Sequence, residues 1–187
     1  CHQVHLERFA APGKTLLGSD SHTPTAGGIG SLAIGAGGLD VAVAMGGGAF
    51  WLTCPAVVGV ELVGRLRPWV AAKDVILRLI AELGVNGGLG YAYEYAGEAF
   101  ESMSMEERLT VCNMSIEGGA RAGLVAPDDA TFEYVHGRRH APQGPAWDTA
   151  VARWRTLPTD DGAAFDLSIV LDADRLAPMV TYGTNPG

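Results

Sequence analysis

The sequence has few cysteines, which limits the metal and redox chemistry open to it. Its three cysteines are Cys1, Cys54 and Cys112, and no two of them have C-x-x-C spacing. By themselves they therefore form neither a zinc-type nor a ferredoxin-type ligand set. We expect Cys54 and Cys112 to pack as small buried hydrophobic residues. An odd, sparse cysteine count is typical of a reducing compartment, so we predict a cytoplasmic location.

Positive charge is also scarce. Lys and Arg total 13 against 21 Asp and Glu, and the net charge is −8 with a pI near 5.0. Nucleic-acid-binding proteins usually carry a basic surface, so we predict no nucleic-acid partner. A local positive site inside an acidic protein can still bind a small anion.

Long uninterrupted hydrophobic segments are absent as well. The charge-free run Val41–Val60 contains Gly46–Gly48 and Pro55, which disfavour a membrane-spanning helix. We interpret this run as a buried helix end, a turn and a buried strand, and we predict no membrane partner. The chain begins at Cys1 without a signal-type segment and stops within a turn-like TNPG sequence. We expect it to be a piece of a longer protein.

Hydrophobic residues make up 48% of the chain, which is enough for a sizeable core, and helix and strand patterns alternate along it. That alternation predicts the α/β class. Gly18–Gly30 and His136–Pro145 are expected to be loops. A change of composition places a domain boundary between Cys54 and Pro55. The predicted strands are Lys14–Gly18, Pro55–Leu66, Tyr91–Tyr95 and Asp166–Leu171, and the predicted helices lie within Ser31–Met45, at Ala71–Leu83, from Ser104 onward and at Asp148–Thr156.

The most unusual stretch is GSDSHTPTAGGIGSLAIGAGG, residues 18–38, which joins Asp20, Ser21 and His22 to a glycine-rich run. A histidine near carboxylates can serve as a general acid or base. A Ser–His nucleophile, or a turn in which Asp20 and Ser21 cap the next helix, would also explain the triplet. The glycines fit neither the dinucleotide fingerprint nor a P-loop. They allow either close approach of backbone to a ligand or close helix–sheet packing.

A second polar pair interrupts an otherwise apolar helical pattern. Asn113 and Glu117 are four residues apart, so on a helix they would share one face. A carboxylate among apolar neighbours needs a partner, and a histidine or a metal-bound group would be suitable.

These segments together resemble a known family. CHQVHLERF, GSDSHTPTAGGIGSLAIGAGG and CNMSIEGGA occur in the order seen in the aconitase superfamily of iron–sulfur hydro-lyases, and the resemblance covers essentially the whole chain. The later stretches GLVAPDDATFEYVHGRRHAP, TLPTDDGAAFD and TYGTNPG are most similar to the large subunits of its 3-isopropylmalate dehydratase branch, which serves leucine biosynthesis. Homoaconitate and aconitate hydratases are the alternatives within the superfamily.

The resemblance implies a fold and an activity. Aconitase-type enzymes have layered α/β/α domains around a [4Fe–4S] cluster and isomerise a 2-hydroxy acid by dehydration and rehydration. Residues 1–54 would be the end of the first domain, and residues 55–187 the second domain with the start of the link to the cluster-binding domain. A swivelling domain, on a separate small subunit in this branch, would close over the hydroxy-acid substrate and supply a serine base.

The resemblance also implies roles for individual residues. The expected catalytic pairs are His2 with Asp20 and His22 with Glu117. Ser21 matches a substrate-carboxylate binder, while Thr25 and Asn113 match positions close to the cluster.

The family's cluster cysteines lie in a Ser-Cys-Thr-Asn segment and a C-x-x-C segment, and neither occurs in these 187 residues. We therefore expect no metal ligand in this chain, cluster ligands farther downstream, and no activity from the chain alone. A truncated, non-catalytic interaction module is the alternative from another functional class.

Overall fold

Two parallel β-sheets form the framework of the computed structural model, which describes residues 1–186. The first sheet pairs β1 (Thr15–Gly18) with β2 (Leu32–Gly35). The second has four parallel strands in the order β5-β4-β3-β6. These strands are β3 (Ala56–Val63), β4 (Tyr91–Ala96), β5 (Ala122–Val125) and β6 (Leu167–Asp172). The predicted α/β class is confirmed.

Helices connect and cover the strands. In chain order they are α1 (His2–Arg8), α2 (Gly38–Met45), α3 (Ala72–Leu83), α4 (Glu98–Glu101), α5 (Met105–Met114), α6 (Asp129–Val135) and α7 (Pro145–Trp154), with 3-10 helices at Thr23–Ile29, Ser115–Gly118 and Ala173–Arg175. Among the described residues, no helix has both the length and the apolar character needed to cross a membrane.

The main core lies between the four-stranded sheet and its helices. Val58 and Val60 of β3 and Ile76 and Leu79 of α3 are almost completely buried there. Burying such side chains stabilises a fold by roughly 1.5–3 kcal/mol each relative to exposure. Sequence periodicity predicted α3 within a residue at its start, and its first turn is held by the Asp74 carboxylate.

The predicted start of α5 is also correct, because Ser104 forms a capping box. Its hydroxyl accepts a hydrogen bond from the Glu107 amide, while the Glu107 carboxylate accepts from the amide of Ser104. The helix ends at Met114, and a 3-10 turn continues the chain to Gly118. Two later elements, β5 and α6, were not predicted. The four residues of β5 are too few to show a period, and pairing with β4 makes them a strand.

The glycine-rich region differs most from its prediction. Ser31–Met45 was expected to hold a helix, and α2, at Gly38–Met45, confirms that expectation. The strand β2 before it was not predicted; it forms because Leu32–Gly35 pairs along the whole of β1. Helix α2 follows, and none of its residues is buried, so the buried helix end predicted here is wrong. Cys54 is exposed, contrary to expectation, whereas Cys112 is buried as predicted.

The expected loop Gly18–Gly30 instead contains the 3-10 helix Thr23–Ile29, all of whose residues are buried. It packs on α5 and on β5. A Cβ atom built on Gly27 would lie 1.7 Å from the carbonyl oxygen of Gly123 in β5, so only glycine fits at this position. Packing therefore crosses the predicted boundary at Cys54 and Pro55, and the two-domain division stays a prediction.

Candidate active site

Two histidine–carboxylate pairs lie at the amino-terminal end of the buried 3-10 helix. His2 Nε2 of α1 is 2.9 Å from Asp20 Oδ1, in the turn after β1. His22 Nε2 is 3.0 Å from Glu117 Oε1, although 95 positions separate the two residues. Both side chains of the second pair are about one-third exposed, at 34% and 37%. The pairs are thus accessible to a small molecule.

Asp20 shapes the turn that carries the histidine. Its Oδ1 atom accepts a 2.7 Å hydrogen bond from the backbone amide of His22. Its carbonyl oxygen accepts from the Thr23 hydroxyl at 2.7 Å and from the Thr23 amide at 3.2 Å. The structural role considered for the triplet, a capped turn, is therefore present alongside the histidine pairs.

This hydrogen bonding also keeps Asp20 charged. The amide of His22, and then the imidazole of His2, hold the pKa of the Asp20 carboxyl below its ordinary value. An ionised Asp20 accepts hydrogen bonds and donates none, so His2 presents its Nε2–H to this carboxylate. The other ring nitrogen of His2, Nδ1, lies 4.0 Å from Cys1 Sγ.

His22 has a hydrogen-bonding group at each ring nitrogen. Nε2 faces Glu117, and Nδ1 is 3.1 Å from the Ser21 hydroxyl. With Glu117 ionised, Nε2–H donates to it, and the Ser21 hydroxyl can donate to a neutral Nδ1. A protonated imidazole would reverse the second bond and offer a proton at Nδ1. The arrangement suits a group that moves one proton.

Thr25 and Asn113 bond to each other and to the backbone of His22. The Asn113 amide Nδ2–H donates to Thr25 Oγ1 at 2.7 Å, and the Thr25 hydroxyl donates to the carbonyl of His22 at 2.6 Å. Thr25 is buried, so these bonds are shielded from water. The chain of bonds ties α5 to the turn that carries His22.

The structure thus brings every residue singled out from the sequence into one region. His2, Asp20, Ser21, His22, Thr25, Asn113 and Glu117 form the two pairs and the chain of bonds described above. Their catalytic, substrate-binding and cofactor-binding roles remain predictions.

The cysteines of this chain do not fit an iron–sulfur cluster. Cys1 and Cys54 are exposed, whereas Cys112 is buried in the core of the four-stranded sheet. Burial raises the pKa of the Cys112 thiol well above its usual range, whereas a metal-bound cysteine is a thiolate. Within residues 1–186 no three His, Cys, Asp or Glu side chains are grouped so that they could hold a metal.

One residue beside the site was missed by sequence reasoning. Arg121 lies four positions after Glu117, immediately before β5, and its side chain is exposed. Arg121 is the first positively charged residue after the IEGGA segment, but no sequence pattern distinguished it from other surface arginines.

Comparison with known proteins identifies the family. The whole chain, residues 1–187, matches the model of the aconitase family (aconitate hydratase). The chain belongs to the aconitase family. Members of this family generally use a [4Fe–4S] cluster.

Among curated relatives in the aconitase family, three bacterial proteins named 3-isopropylmalate dehydratase large subunit are similar over 176 residues, which is 94% of this chain. The protein of Roseiflexus castenholzii is 57% identical, that of Solibacter usitatus 55%, and that of Anaeromyxobacter dehalogenans 54%. The chain spans only 37–38% of the length of these relatives.

Proposed function

We propose that this chain supplies proton-transfer and substrate-binding residues to a hydro-lyase that isomerises 3-isopropylmalate or a closely related 2-hydroxy acid. The observation that carries the proposal is the His22–Glu117 pair, 3.0 Å apart and open to solvent, in a chain of the aconitase family. The names of the three relatives support the choice of 3-isopropylmalate over citrate or homoaconitate.

Dehydration of a hydroxy acid requires a proton on the departing oxygen, because hydroxide is a poor leaving group. An imidazolium stabilised by a carboxylate can donate that proton near neutral pH. In the proposal, His22 gives the proton to the hydroxyl that leaves and recovers it when water adds to the neighbouring carbon. Glu117 orients the ring and stabilises its charged form.

The remaining residues position the reaction. The exposed Ser21 hydroxyl would hydrogen-bond a substrate carboxylate. His2 would be held toward the substrate by Asp20, as the 2.9 Å contact between them suggests. Thr25 and Asn113 would hold the His22 turn in place, a role supported by their bonds of 2.6 and 2.7 Å.

The rest of the active site would come from other parts of the enzyme. The cysteines of this chain do not fit a cluster, so we assign no step of the reaction to a cluster held by them. The relatives are named large subunits, so we propose a small-subunit partner that carries the swivelling domain and its serine base. A cytoplasmic location remains a prediction from cysteine content.

The test measures turnover of 3-isopropylmalate by an enzyme extended to the full length of its relatives and assembled with its small subunit. His22→Ala and Glu117→Gln should each lower kcat by about 10²–10⁴-fold with little change in KM, the usual scale for a general acid–base group. His140→Ala is the matched control, because His140 is exposed and stacks on Phe9 rather than on a member of either pair.

Near-normal turnover in either variant would remove the pair from the proton path. A panel of 3-isopropylmalate, homoaconitate and citrate, compared by kcat/KM, decides between the branches of the family. Absence of turnover with all three in the wild-type assembly would favour the non-catalytic alternative.

A further inference from the structure

Arg121 lines two cavities whose walls include sequence or packing neighbours of the histidine pairs. One cavity, of about 380 Å³, is lined by Gly35, Gly37 and the segment Ala49–Trp51, together with Arg121. The other, of about 520 Å³, is lined mainly by apolar residues and includes Ile116 and Gly119 beside Arg121. Arg121 is the residue common to both.

Gly35, in the wall of the first cavity, packs against the backbone of the Asp20–Ser21–His22 turn. A Cβ atom on Gly35 would lie 2.8 Å from the carbonyl oxygen of Asp20 and 3.2 Å from Ser21 Cα. The wall of the cavity therefore touches the back of the turn that carries His22.

The second cavity adjoins the partner of His22. Ile116 and Gly119 belong to the turn that contains Glu117, and the bonds Gly119 N–Ile116 O and Ala120 N–Ser115 O keep that turn compact. Arg121 directly follows this turn. The backbone of Arg121 is thus held four residues after Glu117 by a short, hydrogen-bonded segment.

The positive charge of Arg121 stands among several negatively charged residues. Asp20 and Glu117 place two carboxylates at the site, and Asp40 adds another in the first cavity. Arg121 is the only positively charged residue among those described as lining either cavity. Within residues 1–186 its side chain forms no ion pair or hydrogen bond, so the guanidinium is available to a ligand.

We propose that Arg121 binds a carboxylate group of the substrate and thereby favours dicarboxylic hydroxy acids. The planar guanidinium can donate two parallel hydrogen bonds to a carboxylate, and it offsets the repulsion from the acidic residues around it. The inference rests on the proposed function for the choice of substrate, but it concerns binding and can be tested without turnover.

The probe is 2-isopropylsuccinate, which has the two carboxylates and the branched group of 3-isopropylmalate but no hydroxyl to lose. Its Kd for the assembled enzyme would be measured by calorimetry for wild type, Arg121→Met, Arg121→Lys and Arg139→Met. Arg139 is an exposed arginine in the loop after α6, without a side-chain partner among the described residues, and serves as the matched control.

Arg121→Met should raise Kd by about 10- to 100-fold, the range expected for loss of hydrogen bonds to a charged group. Arg121→Lys should lie between, since it keeps the charge and loses the paired hydrogen bonds. KM for 3-isopropylmalate should rise in parallel while kcat changes little, and Arg139→Met should match wild type. A thermal melt confirms that each variant is folded.

Failure of this inference is distinct from failure of the proposed function. Unchanged Kd and KM in Arg121→Met would overturn the role of Arg121 while turnover by wild type still supports the hydro-lyase. Equal losses in Arg121→Met and Arg139→Met would also overturn it, because the effect would then be general electrostatics. Binding of the analogue without any wild-type turnover would leave Arg121 as a carboxylate site and refute the reaction.

Discussion

Two neighbouring helices of the glycine-rich region have similar composition and opposite burial. The 3-10 helix Thr23–Ile29 is buried at every residue, whereas α2, Gly38–Met45, has no buried residue. Both are short and consist mostly of small or apolar residues. The difference lies in their neighbours, because only the first segment is packed between α5 and β5.

The comparison shows how the site is held. The buried segment begins directly after His22, and Thr25 within it bonds to the carbonyl of His22. A turn attached to a buried element has few alternative positions, and such pre-organisation is what proton transfer requires. The exposed α2 adjoins the site through the cavity near Gly35 and carries none of the proposed proton-transfer groups.

The strongest way to break this contrast is to enlarge the buried segment. Gly27→Ala should destabilise the chain by about 3 kcal/mol or more, because its methyl group would overlap the Gly123 carbonyl unless the helix moves off β5. Urea unfolding measures the loss. A cost below about 1 kcal/mol would contradict the close packing described for this segment.

A smaller effect is expected from removing one hydroxyl within the same segment. Thr25→Val keeps the shape of the side chain but leaves the Asn113 amide without its acceptor and removes the bond to the His22 carbonyl. The free energy of unfolding should fall by about 1–3 kcal/mol. The assembled enzyme should also lose kcat more than KM. Thr149→Val on the exposed surface of α7 is the control and should change stability by less than about 0.5 kcal/mol. Equal effects of the two substitutions would argue against a positioning role for Thr25.

The smallest effect, with the opposite sign, is expected in α2. A Cβ atom on Gly38 would meet nothing within 4 Å, so Gly38→Ala should stabilise the chain by about 0.5 kcal/mol through reduced freedom of the unfolded state. The same urea measurement applies. Marked destabilisation would mean that α2 is covered by a neighbour and would weaken the comparison.

Local pattern was sufficient for the regular elements. The spacing of Val75, Ile76, Leu79 and Ile80 predicted α3, and Ser104 with Glu107 marked the start of α5. The glycine-rich region was predicted poorly, because glycine and alanine have little side chain from which to read a period. There, β2 exists through pairing with β1, and the 3-10 helix exists through packing on α5.

The residues of the site show the same contrast between those found from local sequence and those found only from the tertiary structure. Resemblance of motifs to a family identified His2, Asp20, His22 and Glu117 and suggested how they pair. Arg121 was not found, because its interest depends on two cavities formed by segments distant in sequence.

By itself the sequence determined the α/β class, the family and the chemical groups at the site, since these follow from residue types and from motifs that are contiguous in the chain. Only the tertiary structure decided which glycine-rich segment is buried and which cation lines both cavities. Both depend on contacts between residues far apart along the chain, and such contacts leave no local pattern.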